Sequence, residues 1–250
     1  MPEPQEQEMT IAGHLNELRS RLLRVLLVFA LALIAGLSAA EPVYRWILST
    51  GQRRVSIELH ALSLWDGIGI YMKISFILAL AASLPFMLYQ IWKFVSPGLK
   101  PIERSAALRC VPYVFLLFVA GVVFAYFVVV PMALYFTASV NRSMGLLETY
   151  GAAQYFSFVF NIVLPVSALF EMPVMVMFLT RVGLLTPGRM RKWRKPAYFL
   201  LVFIAVVITP PDFISDLLVT IPLLLLYECS VYISAVVYRR QLQRSDPSKD

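Results

Sequence analysis

Apolar residues run along this chain in blocks too long for a soluble core, and short polar stretches separate them. Runs able to cross a bilayer occur at about 22–40, 67–94, 110–136, 156–179, 197–209 and 213–238. A helix needs about 20 apolar residues to cover roughly 30 Å of hydrocarbon, so the pattern predicts six membrane-spanning helices and an all-α protein. They are read as a single membrane domain over residues 1–250, without internal repeat or low-complexity tract. The fifth run offers only about 14 residues, roughly 21 Å at 1.5 Å per residue. Either the membrane thins there or the turn Thr209-Pro210-Pro211-Asp212 sits below the outer surface. Thr209, Asp212 and Asp216 then lie at membrane depth and need a partner helix or a water defect.

Polar residues inside this frame are few. Leu15, Leu18 and Leu22 fall at helical spacing before the first span, and Glu17 and Arg21 make an i, i+4 pair in the favoured order. The external connection Glu41 to Asp66 carries Pro42, Tyr44, Trp46 and Ile47, which read as a short amphipathic helix resting in the interface. Lys73, about two turns into the second span, is expected to snorkel to the outer surface. Pro85 should kink that span by freeing the carbonyl of Ala81. In the fourth span Pro165 and Pro173 are expected to break two backbone bonds on either side of Glu171. An ionised carboxylate at that depth costs about 2.5 to 3.5 kcal/mol, so Glu171 is read as functional, either neutral or facing a wet cavity. Glu228, in the sixth span, is a further intramembrane acid with no mate evident in the sequence.

Composition agrees. The chain is 59% hydrophobic, with 17 Phe and 12 Tyr, and its mean hydropathy is +0.73. Bases decide the orientation. Arg19, Arg21 and Arg24, the loops after the second and fourth spans, and the tail from Arg239 onward together hold 17 of the 22 Lys and Arg residues. The positive-inside rule then places both termini in the cytoplasm. Glu3, Glu6 and Glu8 stand where a cleavable signal would carry bases, so the first span is expected to be retained. The net charge of +7 is explained by anionic headgroups and calls for no nucleic acid. Cys110 and Cys229 show no metal-ligand spacing and are expected to be buried, reduced thiols. No nucleotide loop, nucleophile constellation or metal set is present in the sequence, so neither an enzyme nor a cofactor is expected.

One acid stands apart. The two basic internal loops contain a single carboxylate, Glu103, within Ser96-Pro97-Gly98-Leu99-Lys100-Pro101-Ile102-Glu103-Arg104. A lone acid in a basic field suits a cationic ligand, because a guanidinium fork meets a carboxylate bidentately.

These segments resemble the TatC family, the polytopic subunit of the twin-arginine protein translocase. The resemblance rests on His14 to Leu22, on Leu84-Pro85 to Phe94, on Ser96-Pro97-Gly98-Leu99 with Glu103-Arg104, and on Phe170-Glu171-Met172-Pro173. It continues through Thr209-Pro210-Pro211-Asp212, Ile221-Pro222 and Tyr227-Glu228. It implies a glove-shaped bundle with short helices five and six, in a bacterial inner membrane. It also implies a receptor for signal peptides bearing two arginines, with Glu17, Leu18, Arg19 and Glu103 as the recognition patch. By the same resemblance Glu171 meets a partner helix or the inserted peptide, and Thr209 and Asp216 dock the single-span partners TatA and TatB. The position of Asp216 is usually Gln in the family, so the charge there is a departure. A complex holding several copies of the chain, driven by the proton-motive force, completes what the resemblance implies. The rival reading from the residues is a proton-coupled secondary transporter with Glu171, Asp216 and Glu228 as relay acids, against which the chain shows no two-fold repeat.

Overall fold

The computed structural model describes residues 11–52, 59–95, 111–146, 149–209 and 213–245. Helix α1 (Ile11–Gln52) is continuous for 42 residues, with Pro42 inside it. At 1.5 Å per residue that is about 63 Å, twice the thickness of a hydrocarbon core. The separate interfacial helix expected around Pro42 to Ile47 is therefore the outer end of α1. Proline removes one backbone bond without ending this helix, and the aromatics beyond it find protein partners. The ring of Tyr44 lies 5.4 Å from Phe156 and 6.2 Å from Tyr71, and Trp46 lies 5.9 Å from Tyr126. The Tyr126 hydroxyl donates to the carbonyl of Ile47 at 3.2 Å.

Helix α2 (Asp66–Val95) packs back along α1. The contact is close because Gly36 has no side chain: a Cβ there would stand 2.9 Å from the carbonyl oxygen of Ser75. Phe29 and Phe76 meet edge to face nearby. Pro85 lies within α2 and the helix continues on both sides of it.

The third apolar run is α3 (Val111–Phe124), a π-helical turn at Ala125–Val129, and α4 (Val130–Ser143). Ala125 and Val129 of that wider turn are buried in the core. Beyond α4, the two-residue strand β2 (Tyr150–Gly151) pairs in parallel with β1 (Leu59–His60), tying together the connections on either side.

The fourth run divides into α5 (Ala152–Leu169) and α6 (Met172–Arg181). Neither Pro165 nor Pro173 has an N–H to give, as expected, but only one helix break accompanies them. Pro165 is held inside α5, whereas Pro173 sits in the first turn of α6, where a missing N–H leaves nothing unpaired. A short helix, α7 (Pro187–Lys192), is capped by the Thr186 hydroxyl. Helix α8 (Arg194–Ile208), the fifth, is short as expected at 15 residues, whereas α9 (Phe213–Ser245), the sixth, is not: its apolar run continues into the basic tail as one helix of 33.

The main core joins Ala125, Val129 and Val130 to Ile162, Val163 and Val166 of α5, Leu201 and Ala205 of α8, and Val219 and Leu223 of α9. A smaller cluster of Leu88, Val114, Val174 and Phe178 brings together the end of α2, the start of α3 and α6. Five stretches, Asn16–Ser49, Asp66–Ile91, Pro112–Ser143, Ala152–Arg181 and Phe213–Gln243, are long and apolar enough to cross a membrane. Large apolar side chains such as Leu22, Leu31, Phe199, Phe203 and Leu225 point outward, as lipid as solvent requires. Cys229 is also exposed, on the outer side of α9, contrary to the buried thiol expected; Cys110 lies outside the described residues.

Candidate functional site

The bundle has two polar ends. At one end lie the start of α1, the ends of α2 and α6, helix α7 and the start of α8; we call it the basic end. There Arg21 is buried although it is an arginine. Its Nε donates to Glu17 Oε1 at 3.1 Å, its Nη2 reaches the same oxygen, and Nη1 approaches the carbonyl of Gln90 on α2 at 3.5 Å. The expected Glu17–Arg21 pair is thus formed. It also does more than spacing could reveal, because Arg21 links the Glu17 carboxylate to α2 five residues before that helix ends. Glu17 keeps 28% of its side chain exposed. Leu18 and Arg19 are exposed beside it. Glu103, in the segment that follows α2, lies outside the described residues.

Glu171 occupies the break between α5 and α6 and is 6% exposed. Its carbonyl accepts from the main-chain N–H groups of Val174 and Met175, starting α6. Its carboxyl is different: both oxygens are buried with no hydrogen bond of ordinary geometry, although the main chain of Phe118 on α3 lies within its electrostatic reach. A buried carboxyl without a partner costs about 1 to 3 kcal/mol.

At the opposite end, the Thr209 hydroxyl donates to the Asp216 carboxylate, with the carbonyl of Ala205 at 2.9 Å as its alternative acceptor. Thr209 is buried and Asp216 half-buried. The fold therefore joins the residue that ends α8 to the first turn of α9, while Asp212 lies outside the described residues.

Glu228 has the mate that the sequence did not reveal. Arg194 Nη2 donates to Glu228 Oε2 at 2.6 Å, and the Tyr198 hydroxyl donates to Glu228 Oε1. Because α8 is short, its first turn stands level with Glu228, and the acid is met by a base at the basic end. Next to it, Tyr227 donates to the carbonyl of Met190, fastening α7 to α9. Lys73 likewise has a protein partner instead of reaching only for the surface. Its ammonium donates to the Ser157 hydroxyl on α5, whose own proton goes to the carbonyl of Ala153 at 2.6 Å. Arg194, Tyr198 and Ser157 were missed by sequence reasoning; partners 30 to 84 residues away leave no local spacing to detect.

Six helical passages with outward apolar faces define a multi-pass all-α membrane protein. The chain belongs to the TatC family: the family model described as Sec-independent protein translocase protein (TatC) matches residues 13–222. Among curated relatives, Sec-independent protein translocase protein TatCd of Bacillus subtilis is 44% identical, covering 95% of this chain and 96% of that one. The TatC protein of Halalkalibacterium halodurans is 41% identical over 94% of this chain and 92% of that one. A crystal structure of the twin-arginine translocase receptor TatC superposes with a TM-score of 0.75 at 31% identity, covering 90% of this chain and 99% of that one. A second structure of that receptor, in the detergent DDM, gives a TM-score of 0.77 at 31% identity, over 88% and 99% of the two chains.

Proposed function

We propose that the chain is the core receptor subunit of a twin-arginine protein translocase. It takes the signal peptide of a folded cargo at the basic end, which faces the cytoplasm together with both termini. It then nucleates TatA and TatB around the loaded complex for export driven by the proton-motive force. The observation that carries this reading is the Glu17 carboxylate, held in place by buried Arg21 and still partly open to solvent. An incoming arginine can share or take over a carboxylate already oriented for a guanidinium. Charge-assisted hydrogen bonds of this kind contribute about 1.5 to 3 kcal/mol each. Lysine lacks the planar fork and should bind less well. Glu103 is proposed as the second acid of the same patch, with Leu18 and Arg19 beside it.

Glu171 is proposed to meet the inserted peptide or a partner helix, because its buried carboxyl has no ordinary hydrogen bond. The Thr209–Asp216 pair, with Asp212, is proposed as the docking point for the single-span subunits. Glu228, tied to Arg194 and Tyr198, is assigned to holding α8 against α9. The test is export of a folded reporter bearing a two-arginine signal, in cells that lack their own receptor but contain the single-span partners. Restored export that is abolished by replacing both arginines with lysines supports the reading. Failure to restore export with any matched set of partners contradicts it.

A further inference from the structure

A groove of about 470 Å³ lies on α1 at the basic end, lined by Asn16, Arg19, Ser20, Leu23, Arg24 and Leu27. It is separate from the Glu17–Arg21 pair. Residues 16, 20, 23 and 27 recur on one helix face, with Arg19 and Arg24 flanking it. Phe29 and Gly36, which meet α2, lie about half a turn away round the helix. The groove therefore opens on the face of α1 opposite its contact with α2.

Its lining is graded along the helix axis. The outer part offers two guanidinium groups, an amide and a hydroxyl, with Arg24 Nη2 bonded to Ser20 Oγ at 2.9 Å. One to two turns deeper, about 5 to 10 Å along the axis, the lining becomes Leu23 and Leu27, which are 55% and 59% exposed. Among the described residues, no carboxylate lines the groove.

The geometry points to a site for one anionic phospholipid, its phosphate between Arg19 and Arg24 and an acyl chain along Leu23 and Leu27. Charge complementarity selects this occupant: two guanidinium groups suit a phosphate, and the apolar floor suits an acyl chain in place of water. Arginine presents several donors in a fixed fork to phosphate oxygens. Bases near an anionic membrane surface contribute about 1 kcal/mol each. Arg19, beside the peptide patch of Glu17 on the neighbouring edge of the same helix, thereby also serves lipid.

The test uses the full chain purified in maltoside detergent and titrated with phosphatidylglycerol or phosphatidylcholine, bound lipid being counted by native mass spectrometry. The expected result is one phosphatidylglycerol retained with about tenfold preference over phosphatidylcholine. The double variant Arg19→Gln, Arg24→Gln should lose that preference, and Leu23→Ser with Leu27→Ser should weaken retention of both lipids. Arg45→Gln, a base toward the other end of α1, should leave the preference unchanged. Equal retention of the two lipids by the unaltered chain would overturn the proposal. So would an unchanged preference in the double arginine variant, given an unchanged elution profile, or displacement of the lipid by inorganic phosphate at equal concentration. The lipid count on the unaltered chain and on the leucine variant is read without any signal peptide, so failure here is distinguishable from failure of the receptor reading.

Discussion

Gly121 of α3 and Ser167 of α5 meet backbone against backbone: a Cβ on residue 121 would stand 2.6 Å from the Cα of Ser167 and 3.0 Å from the Cβ of Phe170. Small residues at helix interfaces allow this approach in membranes, where packing takes over from the hydrophobic effect. The contact seats the end of α5, and hence Glu171 one residue beyond Phe170, against α3. Gly121→Ala should lower the thermal midpoint of the purified protein, at a cost of about 1 to 3 kcal/mol. Gly67→Ala, where a Cβ meets nothing within 4 Å, should not. Equal midpoints for the two variants would show that α3 and α5 do not touch at this point.

Arg194 and Glu228 form a pair whose side chains are 42% and 37% exposed, so solvent screens them. Their coupling in a double-mutant cycle with Arg194→Gln and Glu228→Gln should therefore be modest, below about 1 kcal/mol. The exchanged pair Arg194→Glu with Glu228→Arg should recover most of the loss seen in either single exchange. Additive losses would mean that the two residues do not interact.

Thr209→Val keeps the volume of the side chain but removes the hydroxyl that donates to Asp216. The carboxylate would be left short of a donor beside the bilayer, at a cost of about 1 to 3 kcal/mol. Thr209→Ser should be close to neutral. Thermal unfolding checks the stability. Crosslinking of a single-span partner to the start of α9 checks the docking role, and it should fall in the valine variant alone.

Glu171→Gln preserves shape and hydrogen-bonding capacity, whereas Glu171→Ala removes both and opens a cavity. Since neither carboxyl oxygen has an ordinary hydrogen bond in the resting structure, the glutamine variant should keep its stability within about 1 kcal/mol. Export should fall several-fold in the alanine variant and less in the glutamine variant. Normal export by both would remove any functional demand for this acid.

Much of the fold is legible in the sequence because a bilayer imposes a length and a polarity that few other environments demand. The Glu17–Arg21 pair is legible too, being four residues apart on one helix. Prolines mislead: Pro42 and Pro165 are absorbed within helices, while Pro173 begins one. A missing N–H costs a helix one bond, and only the surrounding packing decides whether the helix ends there. The partners of Glu228 and Lys73 are hidden for another reason. They sit on other helices, and pairing between helices follows from bundle geometry that local spacing does not encode. The buried state of Arg21 is of the same kind, since its neighbour Gln90 lies 69 residues further along the chain.

The central claim is that carboxylates at the basic end receive the two arginines of a signal peptide, and photo-crosslinking measures it directly. A peptide carrying a crosslinker beside its arginine pair would be added to membranes containing the unaltered chain, Glu17→Ala or Glu103→Ala. The account predicts strong adducts with the unaltered chain, weakened about tenfold or more by either substitution and by replacing the arginines with lysines. Undiminished, arginine-dependent crosslinking in both variants would contradict it.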